Sequence, residues 1–153
     1  MLFNLTVAEE IAFGLKNLNL TGQSARISKA LNDVGLSGFE KRDPQTLSLG
    51  EKQKVAIACV LAIDTPYIVL DEPIAMLDYK SAVNLYQLLS TLHKKYNKTI
   101  IVVEHDTDFL LTHTKEIAII DKGKILMHGA TQYIFSRQAK LKQIGIKIPQ
   151  PIQ

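Results

Sequence analysis

Tyr67-Ile68-Val69-Leu70-Asp71-Glu72-Pro73 is a short apolar run closed by two acids and a proline. Unbroken apolar character over so few residues suits a strand of a parallel sheet buried on both faces, because a strand with one wet face would alternate. Asp71 and Glu72 then fall at the carboxyl end of that strand, where open α/β sheets place their ligands. Thr99-Ile100-Ile101-Val102-Val103 repeats the design and leads into Glu104-His105-Asp106. Between the two runs, residues 80–96 carry Val83, Leu85, Tyr86, Leu88, Leu89 and Leu92, which predicts a long helix packed on the sheet. The three pieces make one βαβ unit.

Upstream the period changes from strand to helix. Thr6-Val7-Ala8-Glu9 has capping-box spacing, which predicts a helix over about 7–16. From Ser24 to Val34, apolar Ile27, Ala30, Leu31 and Val34 recur at i, i+3, i+4 and i+7, with Gly35 placed as a stop. Gly35 to Gln45 reads as a loop before a third helix over about 51–63. Downstream, a short helix over 106–111, strands over 116–120 and 124–128 around an Asp121-Lys122-Gly123 turn, and helix from Thr131 to Gly145 are expected, with Pro149 and Pro151 in a loose tail.

The bulk numbers bound the possibilities. At 153 residues and 46% hydrophobic, the chain is long enough for one ordinary core. A net charge of +3 from 18 basic and 15 acidic residues, well mixed, leaves no electrostatic footprint for nucleic acid. Cys59 is the sole cysteine, so no disulfide or cysteine zinc site can form within the chain, as suits a reducing cytosol. The longest apolar run, Val55 to Ile63, falls well short of the roughly 20 residues of a membrane-spanning helix. Met1-Leu2-Phe3-Asn4-Leu5-Thr6 lacks a basic start, so a secretory signal is not expected and a cytoplasmic location is. His93, His113 and His128 show no ligand spacing and read as structural.

In order, spacing and wording, Leu47-Ser48-Leu49-Gly50-Glu51, Tyr67 to Glu72 and Glu104-His105-Asp106 resemble the nucleotide-binding subunit of an ABC transporter. Thr6-Val7-Ala8-Glu9-Glu10-Ile11-Ala12-Phe13-Gly14-Leu15 resembles the energy-coupling-factor kind, which drives vitamin and metal-ion uptake. The resemblance runs from Leu2 to about Ile146. It implies an α/β fold, a truncated P-loop NTPase with a helical subdomain followed by a mostly parallel sheet and flanking helices. The implied divisions are 1–64 with the signature, 65–130 with the α/β core, and 131–153 as a C-terminal helix and tail.

The resemblance also implies roles. At the N-terminus of the third helix, whose free N–H groups favour anions, Ser48 would offer its hydroxyl and Gly50 its N–H to the terminal phosphate of ATP. Leu49 and Glu51 depart from the family's L-S-G-G-Q, and a carboxylate at Glu51 is compatible with a phosphate only if its charge is used locally, as a capping box allows. Asp71 would hold Mg²⁺ through its water shell, and Glu72 would orient and polarise the attacking water. Asp78, in Ala75-Met76-Leu77-Asp78, would anchor the loop between paired subunits, with Tyr79 where a proline is usual. His105 would contact the terminal phosphate.

The front half of such a site is not in the sequence. The one Gly-Lys pair, Gly123-Lys124, is followed by Ile125, and Ala118 stands five residues before Gly123, so no G-x-x-x-x-G-K-[ST] loop is present. The expectation is an ATPase subunit of a membrane importer present as a truncated chain, able to supply the signature side of a composite ATP site with a second ATPase subunit. A transmembrane coupling subunit would hold it at the inner face of the membrane, docked through Val7 to Val34. The alternative is a non-catalytic, degenerate subunit acting through protein contacts. A soluble ABC ATPase of translation or repair would need a second cassette or a coiled-coil insertion. Without a strand carrying the P-loop, apolar strand edges go unpaired, so the isolated chain is expected not to be independently stable.

Overall fold

The computed structural model describes residues 4–149, which form two compact units, one within 1–103 and one within 104–153. Met1 to Phe3, part of the segment read for a targeting signal, and Pro151 of the expected tail lie outside the described residues; Pro149 is buried.

In the first unit, α1 (Val7–Asn17), α2 (Gln23–Asp33) and α3 (Leu49–Ile63) come first. The expected capping box opens α1: Glu9 N–H donates to Thr6 Oγ1 at 3.2 Å, and Thr6 N–H donates to Glu9 Oε2 at 3.0 Å. Two further free donors of this helix end are taken by the following loop, Val7 N–H by Arg42 O and Ala8 N–H by Glu40 O, each at 2.9 Å. Val7, Ile11 and Leu15 recur every four residues and are fully buried, as are Val55, Ile57 and Ala58 of α3. Gly35, at φ +72°, stops α2 as expected, its N–H donating to Asn32 O at 3.1 Å while Leu36 N–H reaches Leu31 O at 2.8 Å. A 3₁₀ turn, Pro44–Thr46, leads into α3.

The βαβ unit follows. Strand β1 (Tyr67–Asp71) pairs in parallel with β2 (Thr99–Val103), Ile68 opposite Ile100 and Leu70 opposite Val102, and α4 (Tyr79–Tyr96) makes the crossover. Ala82, Leu85, Tyr86, Leu89 and Leu92 form the buried stripe of α4. Two polar clusters brace this unit. The side chain of Asp33, 3% exposed, accepts from Tyr96 Oη at 2.6 Å, Lys95 Nζ at 3.0 Å and Lys29 Nζ at 3.2 Å, tying α2 to the end of α4. Buried Lys98 donates to Asp64 Oδ1 at 2.7 Å and Thr65 O at 2.6 Å, tying the start of β2 to the turn before β1. The Lys98 bond holds the Asp64 carboxyl below the usual range.

In the second unit, α5 (Thr107–His113) is followed by β3 (Glu116–Asp121) and β4 (Lys124–Ala130), an antiparallel hairpin. Lys122 and Gly123 both have positive φ, the requirement of a two-residue hairpin turn, and such a turn can join only antiparallel strands. Parallel pairing among the described residues is therefore confined to β1 and β2, within a fold that is α/β as expected. Ile134, Phe135 and Leu141 form the core with Ile117, Ile119 and Met127. The helix expected to run from Thr131 to Gly145 is two short ones, α6 (Thr131–Ser136) and α7 (Gln138–Gln143), because Arg137 leaves helical geometry at ψ +47°.

Candidate functional site

The first half of the site is the N-terminus of α3. Ser48 is its N-cap, so the helix starts at Leu49, two residues earlier than expected. Glu51 N–H donates to Ser48 Oγ at 3.3 Å, Ser48 N–H donates to Glu51 Oε2 at 2.8 Å, and Ser48 Oγ donates to the same oxygen at 2.9 Å. These bonds from the Ser48 backbone and then its hydroxyl, helped by the charges of Arg42 and Lys54, hold the Glu51 carboxyl below its usual range. The charge of Glu51 is thus used locally, and Ser48's hydroxyl already has an anionic acceptor.

Leu49 is half exposed, and its neighbour Gly50 faces the next helix. A Cβ built on Gly50 would stand 3.9 Å from Ser81 Oγ, ordinary contact, so the protein's own packing does not require glycine there. Ser81 in turn is bound by Asp78, whose Oδ1 accepts Ser81 N–H at 2.9 Å and whose Oδ2 accepts Ser81 Oγ at 2.7 Å. Those bonds hold the Asp78 carboxyl below its usual range. The N-termini of α3 and α4 therefore lie side by side, which brings Ser48, Gly50, Glu51 and Asp78 into one surface. Met76, in the loop that leads to Asp78, and Tyr79, the first residue of α4, are 76% and 71% exposed.

The second half is the carboxyl end of β1. Asp71 and Glu72 are both exposed. Glu72 N–H donates to Val103 O at 2.9 Å, extending the parallel ladder one residue past the strand. Its φ of +43° is a conformation a non-glycine residue adopts at a cost on the order of 1–3 kcal/mol. Buried Pro73 and Ile74 follow at once, and Ala75 N–H returns to Glu72 O at 3.2 Å. The chain is thus turned sharply away from the sheet, which leaves the two carboxylates at its rim. No cluster of three or more metal-ligating side chains occurs among the described residues, and Mg²⁺ with its waters needs only one or two carboxylates.

The last segment lies in the second unit. Asp106 caps α5, accepting Asp108 N–H at 3.0 Å and Phe109 N–H at 3.1 Å. The His105 side chain is 74% exposed, while that of Glu104 is 1% exposed, with Oε2 4.0 Å from His105 Nδ1 and accepting the His105 N–H at 3.2 Å. The burial of Glu104 was not foreseen; between an apolar strand and a histidine, an acid carries no burial signal of its own. Ser81 was also missed, although Asp78-x-x-Ser81 has the spacing of a helix cap. Of the other histidines, His93 Nδ1 meets Lys98 O at 2.8 Å and His113 stacks on Phe109, burial pushing its pKa down. Burial pushes the Cys59 thiol up to about 12.

A parallel β1–β2 pair ending in two acids, with the N-termini of α3 and α4 set side by side, defines an α/β protein. The profile of the ABC transporter family matches residues 1–75. The energy-coupling factor transporter ATP-binding protein EcfA2 of Clostridium tetani is 39% identical over 153 residues, a match covering 97% of this chain and 53% of that protein. The corresponding EcfA of Methanocaldococcus jannaschii is 39% identical over 150 residues, with 97% and 53% covered. Among solved structures, cbiO1 from Clostridium perfringens, part of the ABC transporter complex cbiONQ, superposes with a TM-score of 0.81 at 27% identity, covering 97% of this chain and 60% of that one. The chain belongs to the ABC transporter ATP-binding family, and it spans about half the length of the curated relatives it matches.

Proposed function

We propose that this chain is part of the ATP-hydrolysing machinery of an energy-coupling-factor importer, and that it presents the signature side of a composite ATP site to a second ATPase subunit. The observation that carries this reading is the pairing of the α3 and α4 N-termini through Gly50 and Ser81. Two helix ends there aim free N–H groups and partial positive charge at one surface, the setting in which a terminal phosphate is held. Ser48's hydroxyl and Gly50's N–H would donate to its oxygens, with Glu51 keeping the cap in shape, and Asp78 would fix the adjoining loop at the subunit contact.

Asp71 and Glu72 of the first unit would serve an ATP site that a phosphate-binding loop completes, and His105 of the second unit would sense a terminal phosphate. Asp71 would hold Mg²⁺ through water, and Glu72 would orient and polarise the attacking water. The ion would neutralise charge on the phosphate oxygens. Among the described residues no helix is long and apolar enough to cross a membrane. A place at its inner face would come from docking of the Val7 to Val34 region on a transmembrane coupling subunit. The transported substrate would be chosen by a membrane partner.

The test mixes the chain with a complete ABC ATPase subunit. Turnover should rise on mixing and fall by more than about tenfold in Ser48→Ala, but far less in Glu51→Ala, which also breaks the capping box while keeping the hydroxyl. Micromolar ATP affinity of the chain alone in calorimetry would contradict this reading. A second reading, a non-catalytic subunit, is favoured by the closed Ser48–Glu51 pair. It requires a mixed complex that forms but ignores Ser48→Ala.

A further inference from the structure

Charges of both signs are well mixed over the whole chain, but not in its last stretch. From Thr131 to Pro149 it carries Arg137, Lys140, Lys142 and Lys147 and no acid. Lys147 is paired with Asp108 at 2.8 Å, whereas Arg137 and Lys140 have no acidic partner among the described residues. Both line a groove of about 670 Å³ in the second unit, together with Met127, Tyr133, Ser136 and Gln138. That volume is of the size that small molecules occupy. Arg137 is already held in place, its guanidinium carbon 4.7 Å from the centre of the Tyr133 ring and its Nη2 donating to Tyr133 Oη. A guanidinium so stacked has little freedom left to lose when a ligand arrives, and its other N–H donors stay open. Ser136 Oγ donates to Tyr133 O at 2.7 Å, so the side-chain donors left to a ligand are those of Arg137, Gln138 and Lys140. Met127 and the ring of Tyr133, which is 54% exposed, supply an apolar wall.

We propose that this groove binds a phosphate monoester, with the fork of Arg137 on two of its oxygens, Lys140 on a third, and the esterified group against Met127 and the Tyr133 ring. Charge decides between the possible anions. A phosphate monoester carries about −1.5 to −2 at neutral pH and so matches two cations that have no acid beside them. A carboxylate would leave one of the two unbalanced, although it fits the same fork. Bare inorganic phosphate would leave the apolar wall wet, and covering that wall is what an esterified group adds. The same chemistry is offered by a soluble ester and by the headgroup of phosphatidic acid. The groove lies wholly in the second unit and uses none of Ser48, Gly50, Asp71, Glu72 or His105. It therefore stands or falls apart from the ATPase reading.

The experiment has two arms, both on the full 153-residue chain. One titrates it with phenyl phosphate and with inorganic phosphate, followed by nuclear magnetic resonance of the Arg137 and Lys140 side chains. The other measures co-sedimentation with phosphatidylcholine vesicles that contain phosphatidic acid. Binding that depends on Arg137 is expected in at least one arm, with phenyl phosphate severalfold tighter than inorganic phosphate. So open a groove calls for millimolar rather than micromolar constants, which leaves the ATP criterion above untouched. Arg137→Gln and Lys140→Gln should each weaken binding by about tenfold, the loss of one charge-assisted contact. Arg137→Lys, which keeps the charge but not the fork, should weaken it severalfold, and Lys142→Gln, outside the groove, should bind as the parent does. All three positions are exposed, so each variant should keep the far-ultraviolet circular dichroism of the parent. Dependence on Arg137 with phenyl phosphate alone identifies a soluble ester, and with vesicles alone a lipid headgroup; either upholds the site. No binding in either arm, indifference to Arg137→Gln, parental affinity in Arg137→Lys, an equal loss in Lys142→Gln, or phenyl phosphate bound no tighter than inorganic phosphate would each overturn the proposal.

Discussion

Replacing Asp33 by alanine tests whether the helical layer is tied to the βαβ unit by a single carboxylate. Its side chain is 3% exposed and takes three donors from two helices. The Lys29 and Lys95 side chains are 63% and 55% exposed, so each would regain water, and each pair contributes about 0.2–1 kcal/mol. The bond from Tyr96 Oη is charged and partly buried, a class that contributes about 1.5–3 kcal/mol. Asp33→Ala should therefore destabilise by roughly 2–5 kcal/mol, a large part of a typical 5–15 kcal/mol. Asp33→Asn, which keeps an acceptor for Tyr96, should cost about 1 kcal/mol. Burial alone would push the Asp33 carboxyl up, but the bonds from Tyr96, Lys95 and Lys29 outweigh it and hold it below its usual range. A depressed carboxylate stabilises above its unfolded pKa, about 3.9, and that contribution is lost as pH falls through the folded value. The gap between parent and Asp33→Ala should accordingly be full at pH 7 and narrow towards pH 3. Urea unfolding, followed by circular dichroism on identically prepared samples, reads this directly. A loss under about 0.5 kcal/mol at pH 7, or a gap that ignores pH, would refute the reasoning.

Glu51→Gln should raise the affinity of the mixed complex for ATP severalfold, because the amide keeps the capping box while removing a negative charge from the helix end; unchanged or weaker binding in calorimetry would count against it. Lys98→Met should destabilise by about 1–3 kcal/mol, since Thr65 O loses its donor while Asp64, 70% exposed, returns to water; a neutral result in urea unfolding would show that the cluster does not brace the unit. Cys59, its thiol held near 12 by burial, should resist iodoacetamide at pH 8 in the native protein and react once urea unfolds it. Rapid native labelling would mean that α3 opens readily.

Much of the fold was legible because its signals are local. A capping box needs only Thr6 and Glu9, a helix stop only Gly35, and a strand only an apolar run ended by acids; the structure has each of these where the sequence places it, but the burial expected on both faces of the strands holds on one only, since Tyr67, Val69, Ile101 and Val103 are exposed. The break at Arg137 was not legible, because residues 131–143 carry no proline or glycine to mark it. Asp33 was equally silent: its partners Lys95 and Tyr96 are more than 60 residues away, a separation that no periodicity reports.

The sequence by itself determined the family and the order of elements, since motif spacing and hydrophobic period are properties of neighbours along the chain. The tertiary structure decided the rest. It set Gly50 against Ser81, gave Glu51's charge to Ser48, and turned the chain at Glu72. It also showed one face of β1 and β2 left open. A strand's apolar run states that both of its faces are to be buried, but only the folded chain reveals which of them this polypeptide can cover.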